Sequence, residues 1–243
     1  MSQNPYQATN YGYPAVVAEL ADADARATFI RRTYLHLLVA ILACAAIDAV
    51  ILTFFQAQLL PVMGWLSRGW SWMLVLGAFM VVSYIADNWA RSSTSRQTQY
   101  LGLALYVVAE ALLLVPLLFI AQRVAGPDVI QSAGLVTAIV FGGLTITVFV
   151  TKVDFSFLRW ALTAGGFIAL ALIGVSIFMG GISLGIWFSI AMVVLASGMI
   201  LYTTSNIMRT YNTDQYVAAS LSLFASIALL FWYVLQIFMS LDD

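Results

Sequence analysis

The sequence predicts an all-α membrane protein, a bundle of seven transmembrane helices with its N-terminus in the cytoplasm. Two observations lead to this fold class. Of the 243 residues, 63% are hydrophobic and only 9% are charged, whereas about a quarter of the residues are charged in an average soluble domain. Apolar runs recur along the chain, and each has the length of about 20 residues that a helix needs to cross a bilayer.

Seven apolar segments are predicted to span the membrane, and the stretches between them are short. We therefore expect one transmembrane domain over residues 29–243. A polar segment without apolar periodicity precedes it and predicts a flexible cytoplasmic tail over residues 1–28. The predicted spans are residues 33–55, 70–89, 100–120, 133–150, 158–178, 184–204 and 217–239.

The basic residues indicate the orientation. With the N-terminus inside, eight of the ten Lys and Arg residues fall on the cytoplasmic side, and such an excess is typical of cytoplasmic loops. Only Arg68 and Arg123 fall on the opposite side. The tail lacks the basic-then-apolar start of a cleavable signal peptide, so we expect the first helix to direct insertion. The eight cytoplasmic residues are Arg26, Arg31, Arg32, Arg91, Arg96, Lys152, Arg159 and Arg209.

Small residues predict close helix contacts in two of the spans. Ala161 and Gly165 are one turn apart in the fifth span, and small side chains let two membrane helices approach closely. Ala218, Ser222 and Ser226 share one face of the seventh span. We expect neighbouring helices to crowd that face.

The residue inventory excludes several functions. A net charge of −1 leaves no basic stripe for nucleic acid. With one histidine and one cysteine, the chain has no HExxH motif, no set of metal ligands and no late-helix histidine to activate a serine. The last four spans lack the internal acids that an intramembrane aspartyl protease needs. The only lysine lies in a loop, whereas a retinal protein needs a lysine within a helix. A P-loop for ATP is also absent. We expect no enzymatic activity, no catalytic residue, and no metal or cofactor.

Two acidic residues are candidates for a cation pathway, because ionisable groups inside a bilayer are costly and often functional. Glu110 lies at the middle of the third span, where a carboxyl group is either neutral or faces water or a cation. Its alternative role is a hydrogen bond to a neighbouring helix. Asp48, in the outer half of the first span, joins Glu110 in a polar interior or else reaches the outer interface.

Other reactive side chains favour structural roles. Cys44 lies in an apolar run and is predicted to be a packing residue. His36, near the cytoplasmic end of the first span, is either a pH-responsive group or a structural interfacial side chain. Asp87 and Asp154 lie at cytoplasmic segment ends, where we expect solvated caps.

Four stretches resemble segments of a known family. TKVDFSFLRWAL (151–162) precedes the fifth span, and ILYTTSNI (200–207) ends the sixth. YVAASLSLFASIALLF (216–231) belongs to the last span, and YLGLALYVVAEALLLVPLL (100–118) to the third. In their order and spacing they resemble the Bax inhibitor-1 family, also called the transmembrane Bax-inhibitor-motif proteins, over residues 26–240.

This resemblance implies a seven-helix bundle with the last helix central, surrounded by the other six. It also implies a pH-sensitive calcium leak, together with suppression of cell death in some members. The family senses pH through two aspartates, one in the sixth-span signature and one in the last span. Here those positions hold Thr203 and Ser226. Hydroxyl groups do not titrate near neutral pH and bind calcium less well than carboxylates, so we expect the proton-gated mechanism to be weakened, altered or lost.

The sequence leaves two main functions open. The first is a leak channel for calcium or another cation, with Glu110 and Asp48 in its pathway. The second is a non-transporting protein that binds a membrane-protein partner in stress survival or membrane-protein turnover. A small-molecule permease is a third option, which Pro116 in the third span keeps open. In each case we expect the lipid bilayer of a bacterial inner membrane as the environment.

Overall fold

The computed structural model describes residues 16–66, 70–92, 95–179 and 184–241, and these residues form helices without any β-strand. Seven of the helices are long and apolar enough to cross a membrane, which confirms the predicted fold class. The fourth span, the shortest in the prediction, is a helix of 24 residues. The helices are α1 (Ala23–Phe54), α2 (Gln56–Leu66), α3 (Trp70–Ala90), α4 (Arg96–Val124), α5 (Asp128–Thr151), α6 (Leu158–Phe178), α7 (Gly185–Arg209) and α8 (Tyr216–Leu241).

Helix α1 begins well before the predicted first span, within the predicted tail of residues 1–28. The carboxylate of Asp22 caps the helix by accepting a hydrogen bond of 2.7 Å from the backbone N–H of Ala25. The first turns of α1 therefore extend the membrane helix on the side predicted to be cytoplasmic. Residues 1–15 lie outside the described residues.

The residues just before α1 pair with the α7–α8 loop. Val17 forms an antiparallel bridge with Asn212, and the N–H of Ala18 donates to the carbonyl of Tyr211 at 2.8 Å. Arg26 then reaches back from α1, and its Nε donates to the carbonyl of Ala18 at 2.7 Å. Residues 16–21 are thus a docked segment, a feature that the polar composition of the tail did not predict.

Helix α2 was not predicted either. It has 11 residues and is too short to span a bilayer. Leu59 and Leu66 are buried, while Leu60, Val62 and Trp65 are exposed. This pattern, with Trp at a helix end next to a span, is typical of a segment that lies along the membrane interface.

Helix α8 is central in the bundle, as the resemblance implies. It packs against α1, α3, α4, α5 and α7, and it meets α6 through a cluster of Ala169, Met192 and Tyr233. Helix α4 is equally enclosed, and more than half of the apolar stretch of each helix is buried. The bundle therefore has two inner helices, α4 and α8, with the others around them.

The small-residue face of α8 is buried, as predicted. Ala218 is fully buried and Ser226 is 1% exposed. The hydroxyls of Ser220, Ser222 and Ser226 each donate to a carbonyl one turn earlier in α8, at 2.7–3.0 Å. Because these hydroxyls are satisfied within their own helix, the face needs no polar partner from its neighbours.

Helices α6 and α7 interlock through glycine. A side chain at Gly165 would meet the Cδ1 atom of Leu195, and one at Gly198 would meet the Cδ2 atom of Leu162, so each glycine receives a leucine of the other helix. The prediction of a close contact at Gly165 is confirmed. Ala161, the other predicted residue, is exposed and takes no part.

The backbones of α3 and α4 approach each other closely at Gly102. A Cβ atom built at Gly102 would lie 2.5 Å from the carbonyl oxygen of Ala86 and 2.6 Å from the backbone nitrogen of Ala90. Backbone atoms cannot move aside as a flexible side chain can. Any side chain at residue 102 must therefore push the two helices apart.

We expect Gly102→Ala to lower the free energy of unfolding by about 1–3 kcal/mol, the usual range for overpacking. The clash with α3 opposes the higher helix propensity of alanine. Unfolding can be followed in detergent by the reaction of a thiol dye with Cys44, the single cysteine, which is buried. The matched control is Gly77→Ala, because a Cβ atom there meets nothing within 4 Å. Equal stability of the two variants would contradict the tight α3–α4 contact.

Candidate functional site

The structure brings the two acidic residues of the predicted cation pathway close together. Asp48 on α1 and Glu110 on α4 are 6% and 5% exposed, and their carboxyl groups are near enough to interact electrostatically. Glu110 lies 14 residues from either end of α4, which is about 21 Å of helix on each side. The site is therefore deep in the membrane, with its two acids on different helices.

The carboxyl group of Asp48 is only partly satisfied. The thiol of Cys44, one turn earlier on α1, donates to its Oδ2 at 3.7 Å. Its Oδ1 is buried and has no hydrogen-bond partner among the described residues. Buried oxygens normally have a partner, which is often water or an ion. Asp48 thus offers an acceptor to a small polar ligand, and Cys44, predicted as a packing residue, is buried beside it.

Further polar groups continue from Glu110 toward the cytoplasmic ends of α3 and α4. Tyr106, one turn earlier on α4, interacts with Glu110 and lies beside Ser83 of α3. Asp87, one turn after Ser83, pairs with Arg91 at 2.8 Å between Oδ2 and Nε. Asp87 and Arg91 therefore form a half-exposed ion pair at the cytoplasmic end of the row of polar side chains that begins at Glu110. The spacing of Tyr106 from Glu110 is visible in the sequence, but the position of Ser83 depends on how α3 is rotated.

Thr203 and Ser226, which are predicted to take the places of the family's aspartates, are both buried, at 9% and 1% exposure. Ser226 does not bond to Thr203 on α7: its hydroxyl donates to the carbonyl of Ser222 at 3.0 Å. The Ser222 hydroxyl in turn lies 3.0 Å from the hydroxyl of Tyr211. Ser226, Ser222 and Tyr211 thus form a row of hydroxyls, and serine hydroxyls do not change their charge near neutral pH.

A second group of buried hydroxyls was not predicted. The hydroxyl of Tyr34 on α1 lies near those of Thr145 on α5 and Thr204 on α7. In the described part of the chain, none of the three hydroxyls makes a hydrogen bond of good geometry. Three such groups can hold a water molecule. The residue types alone give no signal for this group, because its members come from three separate helices.

Two of the segments that carry the family resemblance contact each other. Ser205, within 200–207, accepts a hydrogen bond of 3.2 Å from the backbone N–H of Phe155, within 151–162. Arg209 donates to the carbonyl of Lys152 at 2.7 Å. In the same loop, the hydroxyl and backbone N–H of Ser156 donate to Asp154 and hold the pKa of that carboxyl below its usual value. The loop is thus fastened to the end of α7.

Metal ligands do not gather anywhere in the described ranges: no group of three His, Cys, Asp or Glu side chains is close enough to hold an ion. Asp48 and Glu110 are only a pair, and in the hydrogen bonds described for this site the thiol of Cys44 contacts Asp48 alone. Calcium takes six to eight oxygen ligands. Two carboxyl groups suit a transient cation rather than a tightly held one.

Comparisons with known proteins agree with this architecture. The family profile described as "Inhibitor of apoptosis-promoting Bax1" matches residues 26–243. The chain is 36% identical over 160 residues to an uncharacterized protein of Pseudomonas aeruginosa, covering 66% of this chain and 68% of that one. It is 37% identical over 119 residues to an uncharacterized membrane protein of Vibrio cholerae, covering 49% and 53%.

A third relative carries a functional name. The chain is 38% identical over 112 residues to the "Modulator of FtsH protease YccA" of Escherichia coli, covering 45% of this chain and 50% of that protein. In another strain of Escherichia coli the same relative is named an inner membrane protein. With seven apolar spans and bacterial relatives of this kind, the chain is a multi-pass protein of the inner membrane. The match over nearly its whole length shows that it belongs to the Bax inhibitor-1 family.

Proposed function

We propose that this protein acts by binding rather than by catalysis, and that it modulates a protease of the FtsH type in the inner membrane. The observation that carries this proposal is the similarity to YccA, whose name describes that role. The similarity covers about half of each chain. Modulation of a protease is one form of the partner binding in membrane-protein turnover that the sequence left open.

The packing of the bundle supports a role that depends on its surfaces. Leu223, Leu230 and Leu235 of α8 are fully buried, so side chains fill the space around the central helix. In the described part of the chain, one cavity lies near each end of the bundle, and Asp48, Glu110, Thr203 and Ser226 line neither of these two. The buried polar groups are therefore enclosed by neighbouring helices rather than opened to either cavity.

The docked segment of residues 16–21 gives the N-terminal residues a fixed starting point. Because this segment pairs with Tyr211 and Asn212, Val16 lies beside the α7–α8 loop. Residues 1–15 contain three tyrosines and no charged side chain. Tyrosine is enriched where proteins contact one another. We propose these residues as the contact for the protease.

Deleting residues 2–15 should abolish co-purification of FtsH with the tagged protein and leave its thermal unfolding unchanged, because the bridge of Val17 and the hydrogen bond of Arg26 both remain. Deleting residues 2–28 should destabilise the protein as well, because it removes the bridge of Val17 and the anchoring Arg26. Both variants are compared with the full chain in detergent extracts and by the half-life of an FtsH substrate.

Two results would count against this proposal. One is a full-length chain that neither co-purifies with FtsH nor alters the half-life of the substrate. The other is a 2–15 deletion that retains both properties, which would move the contact elsewhere on the protein.

A leak of calcium or another cation is the second candidate, and the closeness of Asp48 and Glu110 favours it. Two acids within electrostatic range in a membrane interior attract cations, and the unpartnered Oδ1 of Asp48 is free to accept one. With Thr203 and Ser226 in the family's sensor positions, cation attraction in this chain would depend on α1 and α4 instead of α7 and α8.

If this second candidate is correct, Glu110→Gln and Asp48→Asn should each reduce calcium entry into dye-loaded liposomes to the level of empty liposomes. Each change removes one of two carboxylates and keeps the size of the side chain. Asp214→Asn, at an exposed position in the α7–α8 loop, is the control for loss of an acidic group. Flux by the unmodified protein that does not exceed the background, or undiminished flux by Glu110→Gln, would exclude the carboxyl pair as a pathway.

A further inference from the structure

A basic cavity lies at the end of the bundle where α4 and α8 begin. Its volume is about 650 Å³, and α1 supplies the third wall. Three guanidinium groups line it, together with the only histidine of the chain and two tyrosines. These residues are Arg31, Arg32, His36, Arg96, Tyr100 and Tyr216.

A continuous row of hydrogen bonds forms the floor of this cavity. Nδ1 of His36 lies 2.7 Å from the carbonyl of Arg32 and must donate to it, and Nε2 lies 3.0 Å from the hydroxyl of Tyr100, from which it accepts when the ring is neutral. The hydroxyl of Tyr216 lies 3.3 Å from that of Tyr100 and accepts from Nη1 of Arg96 at 2.5 Å. His36 is thus hydrogen-bonded on both ring nitrogens, and the row links α1, α4 and α8.

The arginines are held close together by an aromatic ring. The guanidinium carbon of Arg32 lies 5.5 Å from the centre of the Tyr216 ring, and that of Arg96 lies 5.3 Å from it. Both distances are within the range of cation–π attraction. Tyr216 is 5% exposed, so it is a fixed platform that keeps two like charges side by side.

No carboxylate compensates these charges in the described part of the chain. The ion pairs there are Arg91 with Asp87 and Arg209 with Glu19, and Asp214, two residues before Tyr216, pairs with neither Arg32 nor Arg96. In the undescribed stretches, Asp242 and Asp243 are the only acidic residues. Within the described ranges, three arginines therefore face one cavity without a carboxylate at ion-pair distance.

This arrangement suits a phosphate group. Guanidinium groups bind phosphate oxygens through paired hydrogen bonds, and Arg96 keeps most of its N–H groups available beyond the one given to Tyr216. The N-terminal ends of α4 and α8 add partial positive charge at the same place. A second arginine beside the first makes the site selective for ligands with a net negative charge.

The depth of the cavity identifies the source of that phosphate. Arg32, Arg96 and Tyr216 each lie just before or at the start of a predicted span, at the level of the cytoplasmic headgroups. Leu35, also in the lining, is 57% exposed and faces outward, as does Tyr100 at 41%. The cavity is therefore open on its side to lipid. We propose that it binds the phosphate of an anionic phospholipid, of the phosphatidylglycerol type, from the cytoplasmic leaflet.

The test measures lipid binding to the full-length detergent-purified protein by native mass spectrometry. We expect phosphatidylglycerol to bind at least about tenfold more tightly than phosphatidylcholine of the same chain length, which corresponds to 1.4 kcal/mol. Arg31→Gln and Arg32→Gln should each remove most of that preference. Arg31 makes no hydrogen bond or ion pair described here, so its substitution leaves the fold intact even if loss of Arg32 disturbs Tyr216.

The matched control is Arg159→Gln, which removes a basic residue on the same side of the membrane, at the start of α6 and away from the cavity. Equal binding of the two lipids, or equal effects of Arg31→Gln and Arg159→Gln, would overturn the site. A parallel titration with inorganic phosphate distinguishes the source: displacement of phosphatidylglycerol only at a large molar excess supports a lipid site. Inorganic phosphate that binds as tightly as phosphatidylglycerol would overturn the assignment to a headgroup.

Discussion

Hydrocarbon offers no hydrogen-bond partner to a polar group, and the arrangement of this bundle follows from that constraint. The helices satisfy their own backbone groups, and the side chains must then do the same. On α8 the solution is local, because three serine hydroxyls each bond to a carbonyl of their own helix. Small side chains with no outstanding hydrogen bonds let the surrounding helices approach, so α8 can occupy the centre.

The polar groups that are not satisfied locally are collected in a few places. Asp48 and Glu110 share one site between α1 and α4. Tyr34, Thr145 and Thr204 share another. The last two helices carry hydroxyls at Thr203 and Ser226, the positions predicted to correspond to the family's aspartates. Among the described residues, the buried acids are Asp48 and Glu110, which belong to the first and third spans.

Much of the fold could be predicted from the sequence because it depends on the lengths of apolar runs. The seven spans follow from these runs. The burial of the face that contains Ala218 follows from the spacing of small residues along the last span. The missed features depend on contacts instead. Residues 16–21 (VVAELA) are mostly apolar but far too few for a span, and their structure depends on backbone pairing with the α7–α8 loop and on contacts with Arg26 and Arg209. Helix α2 is apolar but too short for the length criterion that identified its neighbours.

The candidate site was predictable only in part, and the reason is geometric. The cost of a charge in a bilayer singles out Glu110 and Asp48 one at a time. Whether they meet depends on the rotation of α1 and α4 about their axes, which a single sequence does not fix. The basic cavity is similar: the sequence places Arg32, Arg96 and Tyr216 at one membrane surface, but only packing brings the two guanidinium groups to one tyrosine ring.

The pairing of Val17 with Asn212 connects residues that are synthesised early and late. A protein is synthesised from its N-terminus, so α1 enters the membrane long before the residues that will hold its cytoplasmic end exist. The backbone groups of Ala18 and Thr213 find their partners only when α7 and the following loop are complete. Until then, these backbone groups lack the partners that they have in the finished bundle. The cytoplasmic end of α1 can therefore take its final place only after six of the seven spans have been synthesised.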